Sequence, residues 1–488
     1  VAGTETRTLT DTYLDTEDWF LYRAGLACRL RAKPGKATAR LAIKTISPIR
    51  DGVAARQEWE EDVPRPERPP TALPGKRIAR WLGPALGART LQPCVAVEQI
   101  RRAIDATDRH GTRLEICADA VRYFAGDDLQ QEAIVELELV EGEPARVGKL
   151  ARKLARRQAW RPETQSKFQR ALAVAGLQPP RPVSAARTEV RPDQRAGKAL
   201  RRILSAQYAV MRFNEPGTRV GVDAEYLHDT RLAIRRQLAA LDVFRDALPR
   251  DVRRALRDRL KAAAGALGAV RDLDVYLADL PAYAATLEDG EHLLAPLRTH
   301  LHAEREDARE AMLAFLDGVE WIATCEAIEH TLGALRRPRT AFAQARLTAV
   351  ASDLVRARLR AVLDGGRAIR RRSSPATYHD LRKLCKKLRY TAEFLRPLAP
   401  DAFGALVRQQ KTLQDLLGRH QDADVSMHLL GNFATAHALG KRQRRAIETL
   451  RAAQADAAAA ERARFPEVFG AFDDAGWQDA LDAALAAG

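Results

Sequence analysis

A chain of 488 residues is too long for one ordinary hydrophobic core and predicts two or three domains. Its formal net charge of +16 raises a positive potential that draws in phosphates or acidic surfaces, without saying which polyanion. The cysteines at 28, 94, 117, 325 and 385 form no CxxC pair, which argues against a zinc site or a disulfide scaffold. No apolar run approaches the roughly 18 to 20 residues that cross a bilayer, so a reducing cytoplasm is the expected location.

Residues 1 to about 177 read mainly as strand. Leu26-Ala27-Cys28-Arg29-Leu30-Arg31 alternates, Lys33-Pro34-Gly35-Lys36 supplies a turn, and Ala39-Arg40-Leu41-Ala42-Ile43-Lys44 alternates again, a hairpin with one apolar and one basic face. Further strands are predicted over Arg56 to Val63, Val95 to Ala106, Thr112 to Ala118 and Ala133 to Val140, with helices near Arg77 to Leu82 and Arg146 to Arg157. Acidic residues two apart on a strand share a face, so Glu136 and Glu138, like Glu58 and Glu60, can converge on one divalent cation while basic residues hold phosphate oxygens. Cross-strand pairing of these charges on a wet face is the plainer alternative. Residues 178–194, opening Gln178-Pro179-Pro180-Arg181-Pro182, read as a proline-rich linker.

From residue 195 to 488 the composition turns to Ala, Leu, Arg, Glu and Asp with helical periodicity, and an all-helical domain is expected. Breaks fall near Asn214 to Gly221, Pro249, Pro281, Pro338, Ser373 to Pro375 and Pro397 to Pro400. One segment occurs twice. His228-Asp229-Thr230-Arg231 recurs as His379-Asp380-Leu381-Arg382; Leu267-Gly268 recurs as Leu417-Gly418, each glycine preceded at seven positions by a lysine, Lys261 or Lys411. Beyond the glycines stand Asp272, Asp274, Val275 and Asp422, Asp424, Val425. Matching polar as well as apolar positions implies two related helical units facing each other.

On a helical wheel, His379, Arg382, Lys386 and Tyr390 form one stripe backed by Leu381, Leu384, Leu388 and Leu395; His228, Arg231 and Arg235 do likewise against Leu227, Ile234, Leu238 and Leu241. Such rows suit phosphate groups, arginine offering a planar fork of donors and lysine a mobile point charge. A solvated face is the ordinary fate of a basic stripe, but solvent does not ask for the same histidine twice. The aspartates after the glycines are expected to pair with arginines or cap helices, and the glycines to permit a helix end or a close approach. The helical half resembles the CHAD family, the conserved-histidine α-helical domain, through these paired H-D-x-R and leucine-glycine signatures. The resemblance implies two four-helix bundles related by a pseudo-twofold axis, and inorganic polyphosphate, often in granules, as ligand. It implies phosphate contacts at His228, Arg231, Arg235, Lys261, His379, Arg382, Lys383, Lys386, Arg389 and Lys411. Gln421 stands where the first copy has Arg271.

The strand-rich half resembles the CYTH family through Tyr13-Leu14-Asp15-Thr16, Gly25 to Arg31, Ile43-Lys44-Thr45, Arg56-Gln57-Glu58 and Glu136 to Gly142. That implies a triphosphate tunnel, a closed antiparallel β-barrel, in a family that includes inorganic triphosphatases and class IV adenylate cyclases. Carried over by motif, Arg29, Arg31, Lys44, Arg56, Arg101, Arg102 and Lys167 would grip phosphates, and Glu58, Asp119, Glu136 and Glu138 would serve Mg or Mn. The family's E-x-E-x-K strand lies upstream of the tyrosine-aspartate-threonine strand. This chain opens at Val1 without it, Glu5 being a poor substitute, so the expectation is either a start further upstream or an incomplete barrel of doubtful activity. The reading is an α+β, multidomain polyphosphate binder with a phosphate-handling tunnel, inorganic triphosphate being a second ligand. An RNA-associated basic helical protein without enzymatic activity is the alternative, weakened by aromatics at only 6% and not interleaved with the basic stripes. Cyclase action on ATP is neither supported nor excluded.

Overall fold

The computed structural model describes residues 5–49, 52–108, 110–125, 128–182 and 190–487. The chain divides into two compact units, residues 1–182 with 213–226, and residues 183–212 with 227–488. Part of the anticipated linker, residues 183–189, lies outside the described residues.

The first unit is built on seven antiparallel strands: β1 (Glu5–Thr16), β2 (Leu26–Ala32), β3 (Thr38–Thr45), β4 (Glu58–Pro64), β5 (Leu91–Thr107), β6 (Arg113–Ala125) and β7 (Asp128–Glu141), in the spatial order β4-β3-β2-β1-β5-β6-β7. The expected closed barrel is therefore an open ladder among the described residues, with β4 and β7 at its edges. It is nonetheless strongly curled. The Lys44 ammonium on β3 feels the carboxylates of Glu136 and Glu138 on β7, although five ladder steps would put those strands about 24 Å apart in a flat sheet. On the outer face, Leu14, Leu26, Cys28, Leu30, Leu41, Ile43 and Val63 bury against α1 (Lys76–Leu86). The first turn of α1 is held by Glu61, which accepts from the amides of Lys76, Arg77 and Ile78 at 2.8 to 3.1 Å, satisfying donors that a helix leaves open. A second helix, α2 (Pro144–Arg157), follows β7.

The inner face is closed at one end by α3 (Lys167–Val174). Ser166 and Gln169 form a capping box at its start, and Phe168 stacks on Tyr13 with ring centroids 4.6 Å apart. Phe168, Ala171 and Leu172 pack with Val95, Val97, Val121 and Tyr123. This small core fixes Lys167, the first residue of the helix, beside the polar part of the same face.

The second unit is helical. A succession α4 (Ala196–Val220), α5 (Ala224–Val243), α6 (Arg250–Ala284), α7 (Ala295–Asp317), α8 (Val319–Ala334) is followed in the same order by α9 (Leu347–Arg367), α10 (Pro375–Leu395), α11 (Pro400–Ala436), α12 (Lys441–Phe472), α13 (Ala475–Ala487). Two predicted breaks fall where helices end, a few residues past their prolines: α4 runs through Pro216 to Val220 and α6 through Pro281 to Ala284, because a proline near a helix end costs few backbone bonds. The two helix sets share one continuous core, in which Ile234 and Leu241 of α5 meet Leu388 and Phe394 of α10 and the leucines of α6 and α11. A smaller core joins the far ends of α6, α7, α11 and α12 through Leu280, Leu301, Phe433 and Ile447.

The pseudo-twofold relation is written in two ion pairs. Arg236 of α5 meets Glu393 of α10 at 3.1 Å, and Lys387 of α10 meets Asp242 of α5 at 3.5 Å. Lys387 is the repeat equivalent of Arg236, and Glu393 that of Asp242, so each contact is the other with the copies exchanged. Such reciprocity is what a twofold axis demands of an interface. It places the antiparallel crossing of α5 and α10 at Ala239 and Tyr390.

Candidate functional site

Backbone register sorts the charged residues of the sheet unit. Arg29 and Arg31 on β2, Lys44 on β3, Glu58 and Glu60 on β4, Asp11 on β1, Arg101 on β5, Asp119 on β6 and Glu136 and Glu138 on β7 all fall on the inner face by alternation from paired positions. Arg102, one residue on, is turned to the opposite face and exposed; a strand sends only one of two neighbouring arginines inward. Arg56 is exposed in the loop before β4. Glu5 is exposed and pairs with Arg7 at 2.5 Å.

Inside, cations and carboxylates are tightly matched. Arg101 donates to both Asp119 oxygens at 2.9 and 2.8 Å, to Glu136 at 2.6 Å and to Glu138 at 3.2 Å. Lys167 donates to Asp119 and, at 3.0 Å, to Glu136. Burial works to raise the Glu136 carboxyl, but Lys167 and Arg101 override it and hold it at about 2. Across the face, Lys44 pairs with Glu58 at 2.6 Å, and Arg29 lies 3.7 Å from each of Glu58, Glu60 and Asp11. Burial, then the neighbouring Arg29, lowers the Lys44 ammonium. Fully buried Asp11 takes both donors of Arg31 at 2.6 and 2.8 Å and Gln99 at 3.0 Å. Asp11 and Gln99 were not singled out from the sequence, though both alternate in phase with Arg31 and Arg101. Asp15 of the tyrosine-aspartate-threonine motif is structural: it accepts from the amides of Thr16, Leu21 and Tyr22 at 2.7 to 2.9 Å, and burial pushes it up to about 6.

In the helical unit, Arg382 and Lys386 lie one turn apart on α10 with Arg389 a further turn on. The Lys386 ammonium is depressed to about 7, first by burial and then by Arg235, Arg382 and Arg389, with Asp422 opposing. Burial lowers Arg382 as well, with Asp422 opposing and Arg235 and Arg389 adding to the shift. Arg235 belongs to the first copy and the others to the second, so one cation of the first row comes near the second row. Arg389 lies 5.1 Å over the ring of buried Tyr390.

The aspartates after the glycines pair with the arginines, Arg231 with Asp272 at 3.1 Å and Arg382 with Asp422 at 3.8 Å. Gly268 and Gly418 are mid-helix, not at helix ends. A Cβ at either would sit 3.7 Å from the guanidinium of Arg231 or Arg382, so the leucine-glycine step clears ground for the arginine in front of it. The histidines do not meet at the crossing. Each lies eleven residues from it along its helix, in opposite directions, or about 16 Å at the α-helical rise. His379 is hydrogen-bonded through Nδ1 to Gln421, the position Arg271 holds in the first copy; His228 is exposed. Lys261 and Lys411 are exposed, and Lys383 is engaged with Asp380 at 2.9 Å.

These two units match two families. Residues 1–172 match the CYTH domain and residues 202–431 the CHAD domain. The chain has a CYTH–CHAD architecture. Among solved structures, the CHAD domain from the plant Ricinus communis is similar at 22% identity and a TM-score of 0.50, covering 59% of this chain and 95% of that one. PptA from Streptomyces chartreusis is similar at 18% identity and TM-score 0.48, over 57% and 100%. A putative adenylyl cyclase from Hippeastrum, HpAC1, described as having a dominant triphosphatase activity, is similar at 19% identity and TM-score 0.26, over 36% and 85%. The search of curated proteins finds no match. Among the described residues no helix is long and apolar enough to cross a membrane.

Proposed function

We propose that this CYTH–CHAD protein binds inorganic polyphosphate at the crossing of α5 and α10 in its helical unit, with a sheet unit that handles inorganic triphosphate. One observation carries the reading: Arg235 from one repeat and Arg382, Lys386 and Arg389 from the other crowd together, with Asp422 beside Arg382 and Lys386 and with Glu393 3.4 Å from Arg389. Crowding like charges at a partly desolvated site raises the free energy of the empty protein, and a flexible polyanion relieves it. Arg231, His379 and exposed His228, Lys261, Lys383 and Lys411 extend the basic track for a polymer leaving the crossing. Tyr390, the aromatic residue of the α10 stripe, is 5% exposed, so this ring offers bases no face on which to stack; this favours polyphosphate over single-stranded RNA.

In the sheet unit, Arg29, Arg31, Lys44, Arg101 and Lys167 would hold the phosphate chain. The carboxylates Glu136, Glu138, Asp119 and Glu58 are oxygen donors of the kind a hard divalent cation such as Mg or Mn takes. When bound, that cation would neutralise phosphate charge and polarise the phosphoryl group. Arg102 has no part in this site, and Arg56 would act only from the rim. The deciding experiment is competition between long-chain polyphosphate and single-stranded RNA of equal charge for the intact chain, across salt concentrations. Preference for polyphosphate, falling steeply with salt as counterions are released, is expected. Preference for RNA overturns the assignment. A cytoplasmic location, at polyphosphate granules, fits this function.

A further inference from the structure

We propose that the cationic and acidic halves of the inner face of the sheet unit mask one another, so that a condensed phosphate and a divalent cation are captured there only as a pair. This rests on the triphosphate reading of that unit and concerns how the site is opened.

The empty site is electrostatically closed. Arg101 is committed to Asp119, Glu136 and Glu138, Lys167 to Asp119 and Glu136, Lys44 to Glu58, Arg31 to Asp11 and Arg29 to three carboxylates at longer range. Asp119 is 2% exposed and Arg101 5%, so neither can turn to bulk water when its partner is taken. A phosphate chain arriving alone must draw Arg101 and Lys167 off their carboxylates and leave Asp119 and Glu136 charged and uncompensated. A cation arriving alone must draw the same carboxylates away and strand the arginine and lysine. Breaking one side of a network centred on Lys167 and on buried Arg101 and Asp119 is unfavourable. When both arrive, the phosphate replaces the carboxylates on the cations, the metal replaces the cations on the carboxylates, and every charge keeps a partner. Each ligand must then raise the affinity of the other by the same factor, since coupling between sites is reciprocal.

Tripolyphosphate itself chelates divalent ions, so synergy in the unaltered protein does not decide the matter; disabling each half separately does. The background is the full chain carrying Arg235→Glu, Arg382→Glu and Lys386→Glu, which silences the crossing of α5 and α10. In that chain, Glu136→Gln with Glu138→Gln is expected to strengthen metal-free tripolyphosphate binding about five- to tenfold, the scale of releasing partly exposed ion pairs, measured calorimetrically in the presence of a chelator. The same pair abolishes the enhancement by Mn2+. Conversely, Arg101→Met with Lys167→Met is expected to tighten Mn2+ binding without phosphate, read from the electron paramagnetic resonance of the free ion. Unchanged or weaker metal-free tripolyphosphate binding in the glutamine pair overturns the masking. Should the methionine pair fail to fold by circular dichroism, the isosteric glutamine pair decides by itself. If the background chain binds no tripolyphosphate with or without Mn2+, the triphosphate reading falls and this inference with it.

Discussion

The two units handle positive charge in opposite ways. On the inner face of the sheet unit Arg29, Arg31, Lys44, Arg101 and Lys167 each stand against a carboxylate, whereas at the crossing of α5 and α10 Arg235 and Lys386 have no ion-pair partner among the described residues, and the charges around desolvated Lys386 are chiefly cations. The matched arrangement is stable when empty and selective, because a ligand must exchange partners to enter. The crowded one is raised in energy by its like charges, and on the proposed function a dense polyanion would lower it. The repulsion is borne by the backing: Leu381, Cys385 and Leu388 of α10 and Ile234 and Leu241 of α5 are all but fully buried in the shared core, and that burial holds the cationic face in register whatever it carries.

The harshest way to break this contrast is to invert the crowded cluster. Replacing Arg235, Arg382 and Lys386 by glutamate is expected to weaken long-chain polyphosphate binding by about a hundredfold or more at moderate salt, with helicity by circular dichroism unchanged. The same substitutions leave metal-dependent tripolyphosphate binding by the sheet unit within about twofold, if the units act on separate principles. Equal loss of both would show one shared site.

Protonation sharpens the contrast next. In the free protein Lys386 sits at about 7; a bound phosphate chain returns it toward its ordinary value of about 10.4. Binding therefore takes up a proton. Affinity is expected to be flat below pH 7 and to fall by up to about tenfold per pH unit above it, levelling off only as the bound-state value is reached. Lys386→Arg, which stays charged throughout, removes the slope. A profile unchanged by that substitution would show that Lys386 does not touch the polymer.

Within the sheet, the alternation of Arg101 and Arg102 gives an internal control. Arg101→Glu is expected to abolish metal-dependent tripolyphosphate binding, while Arg102→Glu changes it less than about twofold. An equal effect of the two would mean that the strand register, or the assignment of the inner face, is wrong.

Which of these features could be read from sequence follows a physical division. Period-two alternation put Arg29, Arg31 and Lys44 on one face before any coordinates, and repeat spacing located the paired arginines and glycines. Both are local regularities that a backbone imposes on its side chains. What escaped depends on long-range geometry. The curl that brings Lys44 toward Glu138, the central place of β1 and the partners of Asp11 come from sheet twist and packing. The exchange pairs Arg236 with Glu393 and Lys387 with Asp242 did leave a trace, as like charges at equivalent repeat positions, but their meaning appears only when the two helices are crossed. The histidines, the most conspicuous repeated residues, give no such guide to the crossing, because antiparallel packing carries them to opposite ends.

The mildest test concerns Gly268 and Gly418, where the repeats keep glycine in mid-helix against its low propensity. A Cβ at Gly418 meets Arg382 Nη2 at 3.7 Å, an ordinary contact, so Gly418→Ala is expected to stabilise the helical unit by about 0.5 to 1 kcal/mol through helix propensity. Its polyphosphate affinity should stay within about twofold. Gly418→Leu fills the ground on which the guanidinium lies and is expected to cut affinity several-fold. The same change at Gly268 should cost less, because Arg231 is tied to Asp272 at 3.1 Å and Arg382 to Asp422 only at 3.8 Å, leaving Arg382 freer to serve the polymer and so more exposed to loss. Thermal melts and binding isotherms on the three variants separate propensity from placement: a loss of affinity in Gly418→Ala would mean that the glycine lets the ligand itself approach the backbone, and not merely the arginine.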